Sequence, residues 1–381
     1  MTPHTGHARP WRVALAIALT TLGVWLFVAK ASSRMPDFEV YRRAGERAAA
    51  AEPLYRASDA DYQFKYFPAF AVLAIPLGLM PVAVAKVVWF AMSAAALAAL
   101  LPLTVAVLPH RRKPVWLLIA ALLIGLGKYY AEDLVLGQIN TLVALVAACS
   151  ILAFHSGREA AGGFLVALAI VLKPYALILA PWLVARGRGR SIATLGAGLA
   201  IAAVLPFAIY GSDALALLGD WWQTVTTTTE GTLLHSDNVS LASLWAKRLG
   251  IGSTAGVLAG ISSIALLAVA AVVFLRRSGI TKPEGLEAGM LLAITPLLSP
   301  QGWDYVVILA TMALAYVVND IDRLPRALQV LTVVSIAAIG LSLYDLLGRT
   351  FLYALLDLSI ITVGVVILIS ALASLRMRKL A

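Results

Sequence analysis

Residues 82–108, VAVAKVVWFAMSAAALAALLPLTVAVL, form an apolar run that contains one charged side chain, Lys86. Runs of about 17–25 apolar residues, the length a helix needs to cross the hydrocarbon core of a bilayer, recur from Trp11 to Leu375. Over all 381 residues the hydrophobic fraction is 61% and the charged fraction is 13%, against about 50% and about 25% in soluble domains. One water-soluble core cannot bury that much apolar surface. The sequence therefore predicts an all-α, polytopic transmembrane helical bundle.

The predicted bundle accounts for the whole chain. About 12 membrane segments of about 20 residues would use about 240 residues, which leaves no room for a large soluble domain. We therefore expect a single integral membrane domain, residues 1–381. Its first segment, residues 11–29, is expected to be a retained helix, because it is too long for the apolar core of a signal peptide. Cys149 is the only cysteine, which excludes an internal disulfide or a thiolate metal site.

The net charge of +10 is interpreted as a topology signal. Positively charged residues mark the cytoplasmic loops of membrane proteins, and here they cluster between the apolar runs. No nucleic-acid-binding module is visible, so we do not expect nucleic acid as a partner. The apolar runs predict membrane lipids as partners. The sequence predicts a multi-pass protein of the cell inner (plasma) membrane. The basic clusters are Arg9/Arg12, Arg111-Arg112-Lys113, Arg158, Arg186/Arg188/Arg190, Arg276/Arg277/Lys282, Arg323/Arg326 and Arg376/Arg378/Lys379.

Two regions interrupt the regular alternation of segments. Residues 66–108 contain two apolar runs separated by prolines, and we expect them to make a net single crossing with the first run re-entrant or interfacial. Two full crossings would place the next basic cluster outside, against the charge rule. Residues 162–185 are expected to rise, break near Lys173-Pro174 and descend, because proline interrupts the helical hydrogen-bond ladder.

Polar motifs lie at the segment ends opposite the basic clusters, and we expect them to face the periplasm or the exterior. Two are loops, a first outer loop at residues 30–65 and a second large outer loop at residues 211–250. Within the first loop, residues 38–51 carry apolar side chains on one side and charged side chains on the other. This pattern predicts a short amphipathic helix in the membrane interface. The other motifs are GQIN (137–140), KPY (173–175) and SPQGWD (299–304).

Asp37 and Lys173 are the charged residues best suited to chemistry. Asp37 follows Met35-Pro36 at the exit of the first helix, where partial desolvation raises the pKa of a carboxylate toward that of a useful base. The alternative is an N-cap for the following helix. Lys173 lies in an apolar run, where a cation is costly and usually functional, and its point charge can neutralise a phosphate. The alternative is snorkelling of its ammonium to the interface.

Other polar residues carry weaker signals. Gln138 and Asn140 offer hydrogen bonds that suit sugar hydroxyls, although they also fit the start of a helix. Trp303 is suited to stacking on a sugar ring, but tryptophan also belongs to the aromatic belts of membrane proteins. The acidic pair Glu132 and Asp133 is interpreted as solvated.

Taken in order, seven short motifs of this chain resemble glycosyltransferase family 87. This family comprises polyprenyl-phosphate-mannose-dependent α-mannosyltransferases of the GT-C superfamily. The resemblance runs from Asp37 to about Tyr305, most of the chain, and it implies a fold of GT-C type. The motifs are DFEVY (37–41), PLY (53–55), FKYFP (64–68), GQIN (137–140), LKP (172–174), DNVS (237–240) and SPQGWD (299–304).

The resemblance implies an inverting glycosyltransferase. A hexose, mannose in that family, would pass from a polyprenyl-phosphate donor to a hydroxyl of a lipid-linked or glycan acceptor at the outer face. Asp37 matches the family's first-loop aspartate and is expected to be the catalytic base. Lys173 or a first-loop cation (Lys65, Arg42 or Arg43) would offset the charge of the leaving phosphate. We expect no cofactor and no metal. The expected substrate-binding residues are Tyr41, Tyr55, Lys65, Tyr66, Gln138, Asn140, Lys173, Asn238, Gln301, Trp303 and Asp304.

The alternative class is a transporter or flippase of a lipid-linked sugar or small solute. Such proteins favour repeated halves, with binding sites at broken helices near the bilayer midplane. This chain contains candidates for broken helices, but it shows no internal repeat, and its polar motifs lie at one end of the segments. These features favour the enzyme over the transporter.

Overall fold

The computed structural model of the protein describes residues 21–228 and 230–380. Over this part of the chain the fold is all-helical and contains no β-strand; one isolated antiparallel bridge joins Asn238 to Trp303. The predicted all-α class is confirmed. Of the predicted first segment, residues 11–20 lie outside the described residues.

The described helices are numbered in chain order, with short loops and 3₁₀ turns between them. A 3₁₀ turn at Pro174–Ile178 leads into α9, and another at Asp304–Ala310 leads into α16. The helices are α1 (Thr21–Ala31), α2 (Pro36–Ala49), α3 (Pro68–Leu73), α4 (Ile75–Leu79), α5 (Val82–Val107), α6 (Val115–Leu136), α7 (Asn140–His155), α8 (Glu159–Leu172), α9 (Leu179–Ala185), α10 (Gly189–Val204), α11 (Phe207–Tyr210), α12 (Ala214–Thr227), α13 (Leu241–Leu249), α14 (Ser253–Leu275), α15 (Glu284–Leu298), α16 (Thr311–Asn319), α17 (Arg326–Gly340), α18 (Tyr344–Leu347), α19 (Arg349–Asp357) and α20 (Ile360–Met377).

Within the described residues, five helical stretches are long and apolar enough to cross a membrane. They are Val82–Val107, Val115–Leu136, Gly189–Thr227, Ser253–Leu275 and Ile360–Met377. Shorter apolar helices accompany them at Thr21–Ala31, Asn140–His155, Glu159–Leu172, Pro174–Ala185, Asp304–Asn319 and Arg326–Gly340. A bundle of membrane helices is therefore present, and the total of about 12 segments stays a prediction.

The region between the first loop and α6 contains one helix that is long enough to span a bilayer. The helices α3 and α4 have six and five residues, too few to cross a core of about 30 Å at about 1.5 Å per residue. The following helix α5 has 26 residues. This arrangement agrees with the predicted net single crossing.

The chain breaks at Lys173, as predicted. Helix α8 ends at Leu172, and Lys173 is extended, with φ −151° and ψ 116°. The 3₁₀ turn that begins at Pro174 then leads into α9, which ends at Ala185. Proline has no amide hydrogen for the helical ladder and disfavours a helical residue before it, so the break follows from the Lys173-Pro174 sequence.

Close backbone contacts fix the position of α2, the helix of the first loop. A Cβ atom at Gly45 would overlap the Ala74 carbonyl oxygen, and one at Gly78 would overlap the Glu46 amide, so α2 and α4 meet through two glycines. A Cβ atom at Gly137, whose φ is 72°, would overlap the Cβ atom of Phe38 at the start of α2. The first loop is therefore packed onto the bundle; its placement in the membrane interface stays a prediction.

Three arginines of the predicted basic clusters form ion pairs at one end of the bundle, which we call the ion-pair end. Helix α8 begins at this end with Glu159, which pairs with Arg186. The 14 residues of α8 span about 21 Å at about 1.5 Å per residue, and Lys173 follows the helix at its other end. The basic clusters and the polar motifs thus lie at opposite ends of the same helix. The defining ion pairs are Arg112–Asp320 at 3.3 Å, Arg186–Glu284 at 3.2 Å and Arg376–Glu287 at 3.1 Å.

Candidate active site

A cavity of about 300 Å³ lies at the end of the bundle opposite the ion pairs, which we call the cavity end. Its walls come from α2, the α2–α3 loop, the α6–α7 turn, the break after α8, helix α12 and the loop after α15. Eight of the twelve residues predicted for the site line it. These are Asp37, Tyr41, Lys65, Tyr66, Gln138, Lys173, Gln301 and Trp303.

Asp37 lies in the first turn of α2, at the wall of the cavity. Pro36 begins the helix, and Met35 occupies the N-cap position without a side-chain cap bond. The alternative of Asp37 as the N-cap residue is therefore wrong. A carboxylate in the first turn still interacts favourably with the positive end of the helix dipole.

Burial changes the acidity of Asp37. It raises the pKa of this carboxyl to about 6, although the Lys173 ammonium and a hydrogen bond from Gln138 both lower it. A carboxylate whose pKa lies close to the working pH is an efficient general base, because it is ionised and yet still binds a proton readily. Asp37 thus combines access to the cavity with suitable basicity.

Gln138 is held in one orientation by tyrosines. Its Oε1 accepts a hydrogen bond of 3.1 Å from the Tyr41 hydroxyl, and its Nε2 donates to the Tyr305 hydroxyl at 3.2 Å. The Tyr41 hydroxyl lies 2.7 Å from that of Tyr66. Amide and phenol groups therefore line the cavity beside Asp37, and such groups bind sugar hydroxyls.

Lys173 brings a buried cation to the cavity. The residue is 6% exposed, and its Nζ donates to Asn140 Oδ1 at 2.6 Å. The ammonium also lies 5.1 Å from the centre of the Tyr175 ring. A snorkelling lysine would extend to the surface, so that alternative is wrong for this residue.

Lys65 is the second cation of the cavity. Its Nζ lies 3.4 Å from Gln301 Oε1, and burial lowers the pKa of its ammonium, against the opposing effect of Asp61. Of the other two first-loop cations considered for this role, Arg42 is bound by Glu39 at 2.7 Å, and neither Arg42 nor Arg43 lines the cavity.

The loop after α15 closes one side of the cavity with Gln301 and Trp303. The Gln301 Nε2 donates to the Thr228 backbone carbonyl at 3.0 Å, and the Gln301 backbone carbonyl accepts from the Tyr175 hydroxyl at 3.2 Å. The Trp303 ring meets His235 edge-on, with 5.5 Å between ring centres. These contacts fix the loop against the segment before α13.

Four predicted site residues lie behind the wall of the cavity and do not line it. Tyr55 donates to the Tyr66 carbonyl at 2.8 Å, and Asn140 bonds Lys173. Asn238 donates to the Pro300 carbonyl at 2.8 Å, and Asp304 pairs with Lys128 at 3.3 Å. The structure thus gives these residues partners within the protein, where the sequence predicted contacts with the substrate.

The prediction of Asp133 as a solvated acid is wrong, because the side chain is completely buried. Its neighbour Glu132, one residue earlier on the same helix, is partly exposed, and sequence alone does not show which of two adjacent acids faces the protein interior. Tyr175, Trp221 and Tyr305 also line the cavity. Tyr175 belongs to the KPY motif and Tyr305 directly follows SPQGWD, which are usable signals, whereas Trp221 of α12 belongs to no motif.

A comparison with protein families decides the identity of the chain. The model of glycosyltransferase family 87 matches residues 64–300, more than half of the sequence. The chain belongs to glycosyltransferase family 87. It is a membrane glycosyltransferase with several membrane helices. No curated protein matches it.

The family 87 match covers part of the cavity wall. Lys65, Gln138 and Lys173 lie within the matched residues 64–300, whereas Asp37 and Trp303 lie outside them. A glycosyltransferase binds a sugar donor and an acceptor, and this cavity contains a carboxylate, two ammonium groups, and amide and aromatic side chains. Among the described residues, no group of three or more histidine, cysteine, aspartate or glutamate side chains is arranged to hold a metal ion.

Proposed function

We propose that this family 87 enzyme transfers a hexose, mannose, from a polyprenyl-phosphate sugar to a hydroxyl of a lipid-linked or glycan acceptor. The observation that carries the proposal is the convergence of Asp37, Lys65 and Lys173 on one cavity. A base removes the proton of the acceptor hydroxyl, and cations stabilise the negative charge of the leaving phosphate. The fold would be of GT-C type.

In the proposed reaction the acceptor hydroxyl attacks the anomeric carbon of the donor sugar. The new oxygen–carbon bond forms as the carbon–oxygen bond to phosphate breaks on the opposite side, so the configuration inverts. The electron pair of the broken bond remains on the lipid phosphate, and the proton of the hydroxyl passes to the carboxylate of Asp37. Lys173 and Lys65 offset the charge that develops on the phosphate, and fixed charges aimed at developing charge are a major source of catalysis.

The position of tryptophans supports a lipid-linked donor. Trp221 lines the cavity, and its neighbour Trp222 is 64% exposed on α12. Tryptophan is enriched at membrane–water interfaces, so exposed Trp222 is suited to the headgroup level of the bilayer. A cavity beside that level is within reach of a phosphate carried on a polyprenyl chain.

We further propose that the cavity faces the periplasm or the exterior of the inner membrane, with about 12 segments in the bundle and α2 in the interface. The arginines of the ion-pair end belong to basic clusters, which mark the cytoplasmic side. The cavity lies at the opposite end of α8, beyond Lys173.

Cysteine labelling tests this orientation. In a Cys149→Ala background, a cysteine at Arg188 is expected to react with a membrane-impermeant thiol reagent only after permeabilisation. A cysteine at Ser236 is expected to react in intact cells. The background without either cysteine gives the unspecific signal. Equal labelling of both positions in intact cells would contradict the orientation.

Activity is expected to depend on pH through Asp37. Because the base must be ionised and burial raises its pKa to about 6, kcat/KM should be constant above about pH 7 and fall in acid, to about one-tenth at pH 5. The pH profile of the purified enzyme measures this. An activity that stays constant down to pH 5 would remove Asp37 from the role of base.

Transfer in detergent separates the enzyme from a transporter or flippase. The purified protein in micelles has no second compartment, so a transporter forms no product, whereas the transferase should convert radiolabelled polyprenyl-phosphate-mannose and a lipid extract into a new labelled glycan. Movement of the intact donor across proteoliposomes, with no product in micelles, would overturn the proposal in favour of the flippase.

A further inference from the structure

Asp133 is a completely buried carboxylate of α6 that the proposed reaction does not use. Its Oδ2 accepts from the backbone amide of Thr141 at 3.1 Å and from the Thr141 hydroxyl at 2.7 Å. Its Oδ1 accepts from Asn140 Nδ2 at 2.9 Å. The bonds to Thr141 tie α6 to the start of α7 and are sufficient for a structural role. The bond to Asn140 also connects Asp133 to Lys173, which lines the cavity.

Asn140 connects Asp133 to Lys173. Its Nδ2 donates to the carboxylate, and its Oδ1 accepts from the Lys173 ammonium at 2.6 Å. An ionised carboxylate only accepts hydrogen bonds and an ammonium only donates them, whereas an amide does both. The two charged groups therefore impose one orientation on the Asn140 amide, since the flipped amide would face acceptor with acceptor and donor with donor.

The connection matters because the Lys173 ammonium, apart from its contact with the Tyr175 ring at 5.1 Å, is held by the Asn140 amide. A lysine carries its charge on a flexible stem of four carbons, and this one lies at the break between α8 and the following 3₁₀ turn. Asn140 Oδ1 is the hydrogen-bond acceptor of its Nζ. The position of the ammonium at the cavity therefore depends on an amide that Asp133 holds.

We propose that Asp133 is a positioning residue that acts through Asn140 to hold the Lys173 ammonium where the donor phosphate binds. The inference rests on the proposed function, because it takes the phosphate of a lipid-linked sugar as the ligand of Lys173. Asp133 itself touches no substrate, since it lies behind the cavity wall.

Substitution of Asp133 in two backgrounds tests the pathway. Asp133→Asn is expected to raise the donor KM about tenfold, the effect of disturbing a hydrogen bond to a charged group, with acceptor KM little changed. In a Lys173→Met background the same substitution should cause no further loss, because the group it positions is absent. An equal loss in both backgrounds would show a structural role only and overturn the inference.

Two further variants keep the test decisive even if Asp133→Asn misfolds. Thr141→Val removes a hydrogen bond to the same carboxylate but leaves the link to Lys173, and its donor KM should stay within about twofold of wild type. Asn140→Ala breaks the link while every charge and the Asp133–Thr141 bonds remain, and it should reproduce the tenfold effect. A normal donor KM in Asn140→Ala would contradict the inference even if Asp133→Asn did not fold.

A measurement without turnover separates this inference from the proposed function. In Asp133→Asn the one side-chain oxygen accepts from the two Thr141 donors, so the new NH2 group faces Asn140 Nδ2 donor to donor. This favours the flipped Asn140 amide, whose Oδ1 no longer accepts from the Lys173 ammonium. Lys173 should then react several-fold faster with a small amine-acylating reagent, as followed by mass spectrometry, and Thr141→Val should not differ from wild type. Unchanged labelling would overturn the positioning role; absence of mannose transfer by wild type would instead count against the proposed function.

Discussion

Replacing Asp37 with asparagine is expected to lower kcat by about 10²–10⁴-fold, the usual contribution of general-base catalysis. Asparagine keeps the size of the side chain and the position in the first turn of α2, and it can still bond Gln138. It no longer accepts the proton of the attacking hydroxyl. Transfer by purified variants of equal thermal stability measures the effect.

Glu39→Gln is the matched control for this prediction. Glu39 lies on the same helix and is bound by Arg42 at 2.7 Å, outside the cavity, so its loss should leave kcat nearly unchanged. Near-full activity of Asp37→Asn would contradict the account. The base would then have to be sought among Glu39, Glu132 and Asp304, and a large loss in Glu39→Gln would point to the first of these.

Lys173→Met is expected to weaken donor binding by about 10²-fold. Methionine keeps the apolar volume of the lysine stem but leaves the donor phosphate without its buried partner. Removing one member of a buried charge pair costs about 3–5 kcal/mol, and access of water to the cavity favours the low end, about 3 kcal/mol or about 10²-fold in affinity. Acceptor affinity should change little. Separate titrations of donor and acceptor distinguish the two sites.

Lys113→Met provides the control for Lys173→Met. Lys113 is a cation of the ion-pair end and pairs with Asp322 at 2.9 Å, far from the cavity, so its replacement should leave both affinities unchanged. A defect of Lys173→Met confined to the acceptor, or no defect, would remove Lys173 from the donor site.

Much of the fold follows from local sequence properties. Apolar runs predict membrane helices, and the Lys173-Pro174 pair predicts the break after α8, because both depend on residues close together in the chain. The contact of Asn238 with the Pro300 carbonyl joins residues 62 positions apart, and no local pattern indicates it. The glycine contact of α2 with α4 depends equally on the tertiary arrangement.

The order of motifs predicted which residues meet, but not which of them face the cavity. Asp37, Lys65 and Lys173 line it as expected, whereas Asn140 and Asp304 lie behind it with partners from the protein. Residue type indicates that a side chain can bind a sugar or a phosphate. Whether its polar atoms are already bonded within the fold depends on packing, which sequence does not show.

Donor preference tests the central claim most directly. The purified protein in micelles receives a lipid acceptor extract and radiolabelled mannose, attached either to polyprenyl phosphate or to a nucleoside diphosphate. The account predicts a labelled glycan from the polyprenyl-phosphate donor alone, and at least about 10²-fold less of it with Asp37→Asn. Equal product from the nucleotide-linked donor, or equal product from wild type and Asp37→Asn, would contradict it.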